Sequence, residues 1–246
     1  MRSITDVCYG THEKQRLDIH LPEGDTFPVF LYLHYGGFTK GDKASEVYRP
    51  FIEYLTERGI CVVSINYRLY PEAKYPDFLE DSAAGVAWAF EHLREYGNPE
   101  SFWLGGSSAG GYATMMLCFD PSWLGKHGLS PMSLAGFLHD SGQPTTHFNV
   151  VKERGMDSKR IVVDEAAPLY YVGTAETLPK MMFVTAETDR ENRTEQTLLT
   201  LSTLRHFGFG EIPHRVLPGK HVSYVGRLNE AGESEFGRLI YDFMQS

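Results

Sequence analysis

Short runs of apolar, largely β-branched or aromatic residues recur along the chain, separated by longer stretches with a helical period. Residues 29–34 and 61–66 read as buried strands, with a helix-like stretch over 45–58 between them. The rhythm continues with a helix over 77–96, a strand at 102–105 and a helix over 109–119. Strands follow near 134–138, 180–185 and 214–217, with helices at 193–207 and 230–244. Strands that are apolar throughout, rather than at alternate positions, are covered on both faces. The pattern therefore predicts an α/β fold: a mostly parallel sheet of about eight strands with helices on both faces. The alternating segment Arg16-Leu17-Asp18-Ile19-His20-Leu21, close to Val7-Cys8-Tyr9, predicts an antiparallel hairpin at the N-terminal edge.

No stretch is rich enough in Ser or Pro to act as a linker, and no repeat is visible, so one domain over 1–246 is expected. Residues 139–178 show no clear periodicity and carry Gly142, Pro144, Gly155, Pro168 and Gly173. A loop this long inside a compact domain is usually functional. It is predicted to form a cap-like insertion starting at the carboxyl end of a strand, where open α/β sheets bind ligands.

Charge narrows the functions. The chain has 23 Lys and Arg against 32 Asp and Glu, a net charge of −9, so it offers no basic face for a nucleic-acid backbone. No apolar run approaches the roughly 18 residues of a membrane span. The opening residues Met1-Arg2-Ser3-Ile4-Thr5-Asp6 contain no apolar stretch behind a charged start, and a cytoplasmic address is expected. Cys8, Cys61 and Cys118 are odd in number and scattered, which is neither a disulfide framework nor a metal pattern, and all three read as small core residues.

The chemistry concentrates at Gly106-Ser107-Ser108-Ala109-Gly110-Gly111, a G-x-S-x-G pattern centred on Ser108. It follows an apolar strand and opens an apolar helix, the context of a nucleophile elbow, in which small flanking residues let the backbone pass close. A glycine-rich turn with Ser107 or Ser108 as a helix cap fits the bare pattern as well. A nucleophilic serine needs a base, a group to orient that base, and donors for an oxyanion. His34-Tyr35-Gly36-Gly37-Phe38 ends a strand with glycines that leave N–H groups accessible. Asp189 follows the strand at 180–185, and His221 lies in a Gly-containing loop after the strand at 214–217. The order Ser108, Asp189, His221 is that of Ser, acid and His in strand-turn-helix hydrolases. His139 and Asp140, at another strand end, are candidates to line the site beside Tyr35, Phe38 and Ser107.

Other motifs fail. His12-Glu13 has Arg16 where H-E-x-x-H needs its second His, and no serine has Lys three residues on. Asp42-Lys43 follows Gly41 where a P-loop needs Lys-Ser or Lys-Thr, and Gly208-Phe209-Gly210 runs to Pro213 rather than Gly.

With these residues in place, the chain resembles the α/β-hydrolases of the carboxylesterase type, near the hormone-sensitive-lipase-like and the acetyl- and feruloyl-esterase-like branches. His34-Tyr35-Gly36-Gly37-Phe38 is similar to that family's H-G-G-G-[FW], residues 66–72 to N-Y-R-L-x-P-E, residues 106–111 to G-x-S-A-G-G, and Ala167-Pro168-Leu169 to S-P-[IL]. Tyr35 departs from the pattern by replacing its first glycine. Asp189-Arg190-Glu191-Asn192 departs from the D-x-x-V turn after the acid, which leaves Glu187 as a rival acid.

The resemblance implies hydrolysis of a small ester through an acyl-enzyme. Ser108 is the expected nucleophile, His221 the base and Asp189 the orienting acid, with the N–H groups of Gly36, Gly37 and Ala109 as the oxyanion hole. This chemistry requires no metal and no cofactor. The expected partner is a short-acyl or small soluble ester, such as an acetylated or feruloylated sugar, with no nucleic acid and no membrane. An amidase, peptidase or formamidase could use the same triad, and a non-catalytic binding protein on the same fold is a third reading.

Overall fold

A computed structural model describes residues 1–246. Eight strands form one sheet: β1 (Arg2–Cys8), β2 (Arg16–Leu21), β3 (Thr26–Leu33), β4 (Cys61–Ile65), β5 (Asn98–Ser107), β6 (Gly136–Asp140), β7 (Met181–Thr188) and β8 (His214–Lys220). Their order across the sheet is β1-β2-β4-β3-β5-β6-β7-β8. β1 pairs antiparallel with β2, as the N-terminal hairpin predicts, and β2 also pairs antiparallel with β4. The remaining pairs are parallel.

The helices are α1 (Arg49–Thr56), α2 (Asp77–His92), α3 (Ala109–Phe119), α4 (Ser122–Gly125), α5 (Phe148–Glu153), α6 (Pro168–Tyr171), α7 (Arg193–His206) and α8 (Glu235–Gln245). Two apolar cores, one on each face of the sheet, explain the continuous apolar runs. Val29, Leu31 and Leu33 of β3 join Cys61, Val63 and Ile65 of β4 in one core with α2, α3 and α7. Phe30, Tyr32 and Val62 point the other way, into a core closed by Phe51 and Leu55 of α1 and Phe236 and Ile240 of α8. The period of two thus divides each strand between two helical layers.

Some boundaries differ from expectation. The helix expected over 230–244 begins only at Glu235, because Ser234 Oγ accepts from the Gly237 amide and fixes the start there. The strand expected at 102–105 runs over the whole of β5, paired with β3 from Asn98 onward. Cys61 and Cys118 are buried, but Cys8 is exposed, because β1 is an edge strand that the cores do not enclose. No helix is long and apolar enough to cross a membrane.

Candidate active site

β4 lies on one side of β3 and β5 on the other, so the connections leaving β3 and β5 diverge and open a crevice beyond their carboxyl ends. The 34–38 turn follows β3 into this crevice, and Ser108 follows β5. Ser108 has φ 55° and ψ −108°, a conformation that costs about 1–3 kcal/mol and persists only where its surroundings impose it. Two constraints impose it here. The Ser108 amide donates to the Asp140 carbonyl at 2.7 Å, and α3 is jammed against the strands: a Cβ on Gly110 would stand 2.0 Å from the Leu33 carbonyl oxygen.

His221, in the loop after β8, bridges the two other candidates. Its Nε2 lies 2.9 Å from Ser108 Oγ and its Nδ1 lies 2.5 Å from Asp189 Oδ1. In the neutral ring this is a hydroxyl donating to Nε2 and an Nδ1–H donating to the carboxylate. Asp189 also accepts from the Ala186 amide, the Arg190 amide and the Ser141 hydroxyl, at 3.0, 2.7 and 2.7 Å. Burial disfavours its charge, but the bonds from His221, Ala186 and Ser141 outweigh burial and hold the carboxyl at about 2. Burial also lowers the His221 pKa; Asp189 opposes this, while Arg190 and Arg193 add to it. Glu187 is exposed, so the geometry brings Asp189, and not Glu187, to the imidazole.

The N–H groups of Gly36 and Gly37 have no protein acceptor, and Ala109, as the first residue of α3, has no preceding turn to bond. Asn149 Nδ2 donates to the Gly37 carbonyl at 2.6 Å, tying the turn to α5. Positive φ angles of 137° at Gly36 and 63° at Gly37 are why glycine stands at both positions.

The residues expected to line the site behave differently. Tyr35 is half-buried, its ring edge-on to Tyr48. Phe38 is fully buried and stacks on Phe78 at 3.9 Å, so its ring belongs to the core. His139 points to the opposite face of the sheet, where its Nδ1 lies 2.9 Å from Thr114 Oγ1 and burial pushes its pKa down to about 3. Ser107 and Asp140 are buried too, on the α1 and α8 side, and belong to a polar network behind Asp189.

That network runs without a break. Tyr32 OH lies 2.9 Å from Ser107 Oγ, which lies 2.5 Å from Asp140 Oδ2. Asp140 Oδ1 lies 2.5 Å from Tyr224 OH, which lies 3.0 Å from Ser141 Oγ. With the bond from Ser141 to Asp189 the run has five links, while Tyr32, Ser107, Tyr224 and Ser141 carry four hydroxyl protons between them. Tyr32 donates to Ser107, Ser107 and Tyr224 donate to Asp140, and Ser141 donates to Asp189. Burial raises the Asp140 pKa to about 7, against the bonds from Ser107 and Tyr224. Neither Tyr224 nor Ser141 stands out in the sequence, since both are single hydroxyls in loops.

Arg190 and Arg193, which follow the acid, also escape a motif search. They line a cavity of about 440 Å³ together with Phe148 of α5. No group of three or more His, Cys, Asp or Glu side chains is arranged to hold a metal ion.

Residues 17–124 match the BD-FAE family. Over 123 residues the chain is 33% identical to a probable carboxylic ester hydrolase, LipM, of Mycobacterium tuberculosis, a match covering 48% of this chain and 28% of that protein. It is 24% identical to the esterase LipQ of the same organism over 266 residues, covering 96% of this chain and 62% of LipQ. The chain thus spans less than two thirds of the length of these relatives. Among solved structures, a truncated carbohydrate esterase from gut microbiota superposes with a TM-score of 0.79 at 15% identity, covering 100% of this chain and 97% of that one. The chain is thus similar to carboxylic ester hydrolases over its N-terminal half, and it shares its fold with a solved carbohydrate esterase over its whole length.

Proposed function

We propose that the protein hydrolyses carboxylic esters through an acyl-enzyme formed on Ser108. The observation that carries this reading is the position of the His221 ring, with Nε2 2.9 Å from the Ser108 hydroxyl and Nδ1 2.5 Å from the buried Asp189 carboxylate. Ser108 Oγ attacks the ester carbonyl carbon while His221 Nε2 takes its proton. Asp189 holds the ring in the tautomer that leaves Nε2 free to accept, and it stabilises the imidazolium that forms. The carbonyl oxygen, now negative, is held by the N–H groups of Gly36, Gly37 and Ala109. Collapse expels the alcohol, which leaves with the proton from Nε2. Water then attacks the acyl group with His221 again as base, releasing the acid and restoring Ser108.

The substrate is a short-acyl or otherwise small, soluble ester. The cavity beside the loop that carries Asp189 has only two apolar side chains, Phe148 and Ile161, among its eleven lining residues, a poor lining for a long acyl chain. An acetylated or feruloylated sugar fits this polarity, in keeping with the likeness to a carbohydrate esterase.

The test is turnover of 4-nitrophenyl acetate and butyrate by wild type, Ser108→Ala and Ser107→Ala, with labelling by a fluorophosphonate. Turnover and labelling are expected in wild type, and both are expected to vanish in Ser108→Ala while Ser107→Ala keeps much of its rate. Equal losses in the two variants would remove Ser108 as the nucleophile.

A further inference from the structure

Arg193 opens α7 and is only 6% exposed, yet its Nε and Nη1 are buried without a hydrogen-bond partner. A guanidinium taken out of water and left unpaired is costly to keep, and it retains its charge at neutral pH, since burial lowers its pKa only to about 10. Its side chain lines the cavity of about 440 Å³ that also receives Arg190, Lys159 and Arg160. None of these four cations takes part in any of the protein's ion pairs. Glu191 is the one acidic residue of the lining. A chain of net charge −9 therefore gathers four unpaired positive charges at one cavity.

The cavity neighbours the loop that carries Asp189. Arg190 follows Asp189 directly, and its guanidinium lies 5.7 Å from the Phe148 ring centroid. The same Phe148 ring reaches within 3.4 Å of where a Cβ on Gly37 would stand. The lining thus joins residues that follow Asp189 to a ring that packs against the glycine turn.

We propose that this cavity is an anion subsite and that the substrate is an ester carrying a carboxylate, bound by the guanidinium of Arg193 with Arg190, Lys159 and Arg160 around it. The planar fork of Arg193 matches the two oxygens of a carboxylate, and Asn192 and Gln196 supply amide donors from the same lining. This inference rests on the esterase reading and narrows it from small soluble esters to acidic ones.

Two matched pairs of esters test it, one for each side of the scissile bond. The 4-nitrophenyl monoester of adipic acid is compared with 4-nitrophenyl hexanoate, and 4-acetoxyphenylacetic acid with its methyl ester. In at least one pair kcat/KM is expected to favour the anionic ester by about tenfold, the worth of one charge-assisted hydrogen bond; that pair identifies the side that carries the acid. The ratio is expected to fall towards one in Arg193→Gln and to be restored only partly in Arg193→Lys, which keeps the charge without the fork. Should Arg193→Gln not fold, the same ratio in Arg190→Gln and inhibition of wild type by free adipate or phenylacetate read out the same subsite. Parity, or preference for the neutral ester, in both pairs would overturn the subsite, and Ser108-dependent turnover of the neutral esters would leave the esterase reading standing. Absence of Ser108-dependent turnover on all four esters would overturn the esterase reading itself.

Discussion

Asp140 and Asp189 are linked within one hydrogen-bonded run through Tyr224 OH and Ser141 Oγ, which lie 3.0 Å apart. The two carboxyls titrate in opposite directions: Asp140 is pushed up to about 7, chiefly by burial, while the donors around Asp189 hold it at about 2 against its own burial.

In the proposed mechanism the run acts on the reaction through the orientation of Asp189. Ser141→Ala removes one donor from a carboxylate that His221 depends on, and kcat is expected to fall about 10-fold to 100-fold, as for other hydrogen bonds to charged groups. Tyr224→Phe is one link further away and is expected to cost less. Steady-state kinetics on an uncharged ester check the order; a larger loss in Tyr224→Phe than in Ser141→Ala would contradict it.

Asp189→Asn is expected to lower kcat by about 10⁴, because the amide favours the imidazole tautomer that cannot accept at Nε2. Glu187→Gln, on an exposed side chain, is expected to leave kcat within a factor of about two, as for surface changes in general. Reversal of this ranking would make Glu187 the acid.

His221 acts as a base only when neutral, and its pKa lies below the ordinary value of 6.5, through burial against the opposing pull of Asp189. Loss of the proton restores activity, so kcat/KM is expected to rise with pH and to reach its plateau early, with the midpoint of the acid limb below 6.5. A pH profile with that midpoint above 7 would contradict the burial of the ring.

Asp140 binds its proton more tightly in the folded chain, at about 7, than in the unfolded chain, at about 3.9. Its contribution to stability is therefore complete below about pH 4 and is lost as pH rises through about 7. Asn at this position does not titrate, so the melting temperature of Asp140→Asn, relative to wild type, is expected to climb between pH 5 and pH 8. A constant difference across that range would show that Asp140 is ionised throughout.

The sequence by itself determined the layers of the fold and the bonded centre of the site. Strands such as β3 and β4, buried on both faces, must be apolar at every position, and a run of that kind is visible without any structure. Ser108, Asp189 and His221 were legible because each follows a strand, and parallel strands bring their carboxyl ends to one edge whatever their separation along the chain. Side-chain direction was decided only by the tertiary structure. His139 and Asp140 are neighbours on β6, and the pleat sends one towards α3 and the other into the network behind Asp189. Phe38 stands in a glycine turn that resembles a site, and a stack of aromatic rings takes it into the core. Arg193, Ser141 and Tyr224 belong to no pattern of spacing, because what sets them apart is the partners they find or lack. Those partners come from segments distant in the chain, and only the closed fold brings them within reach.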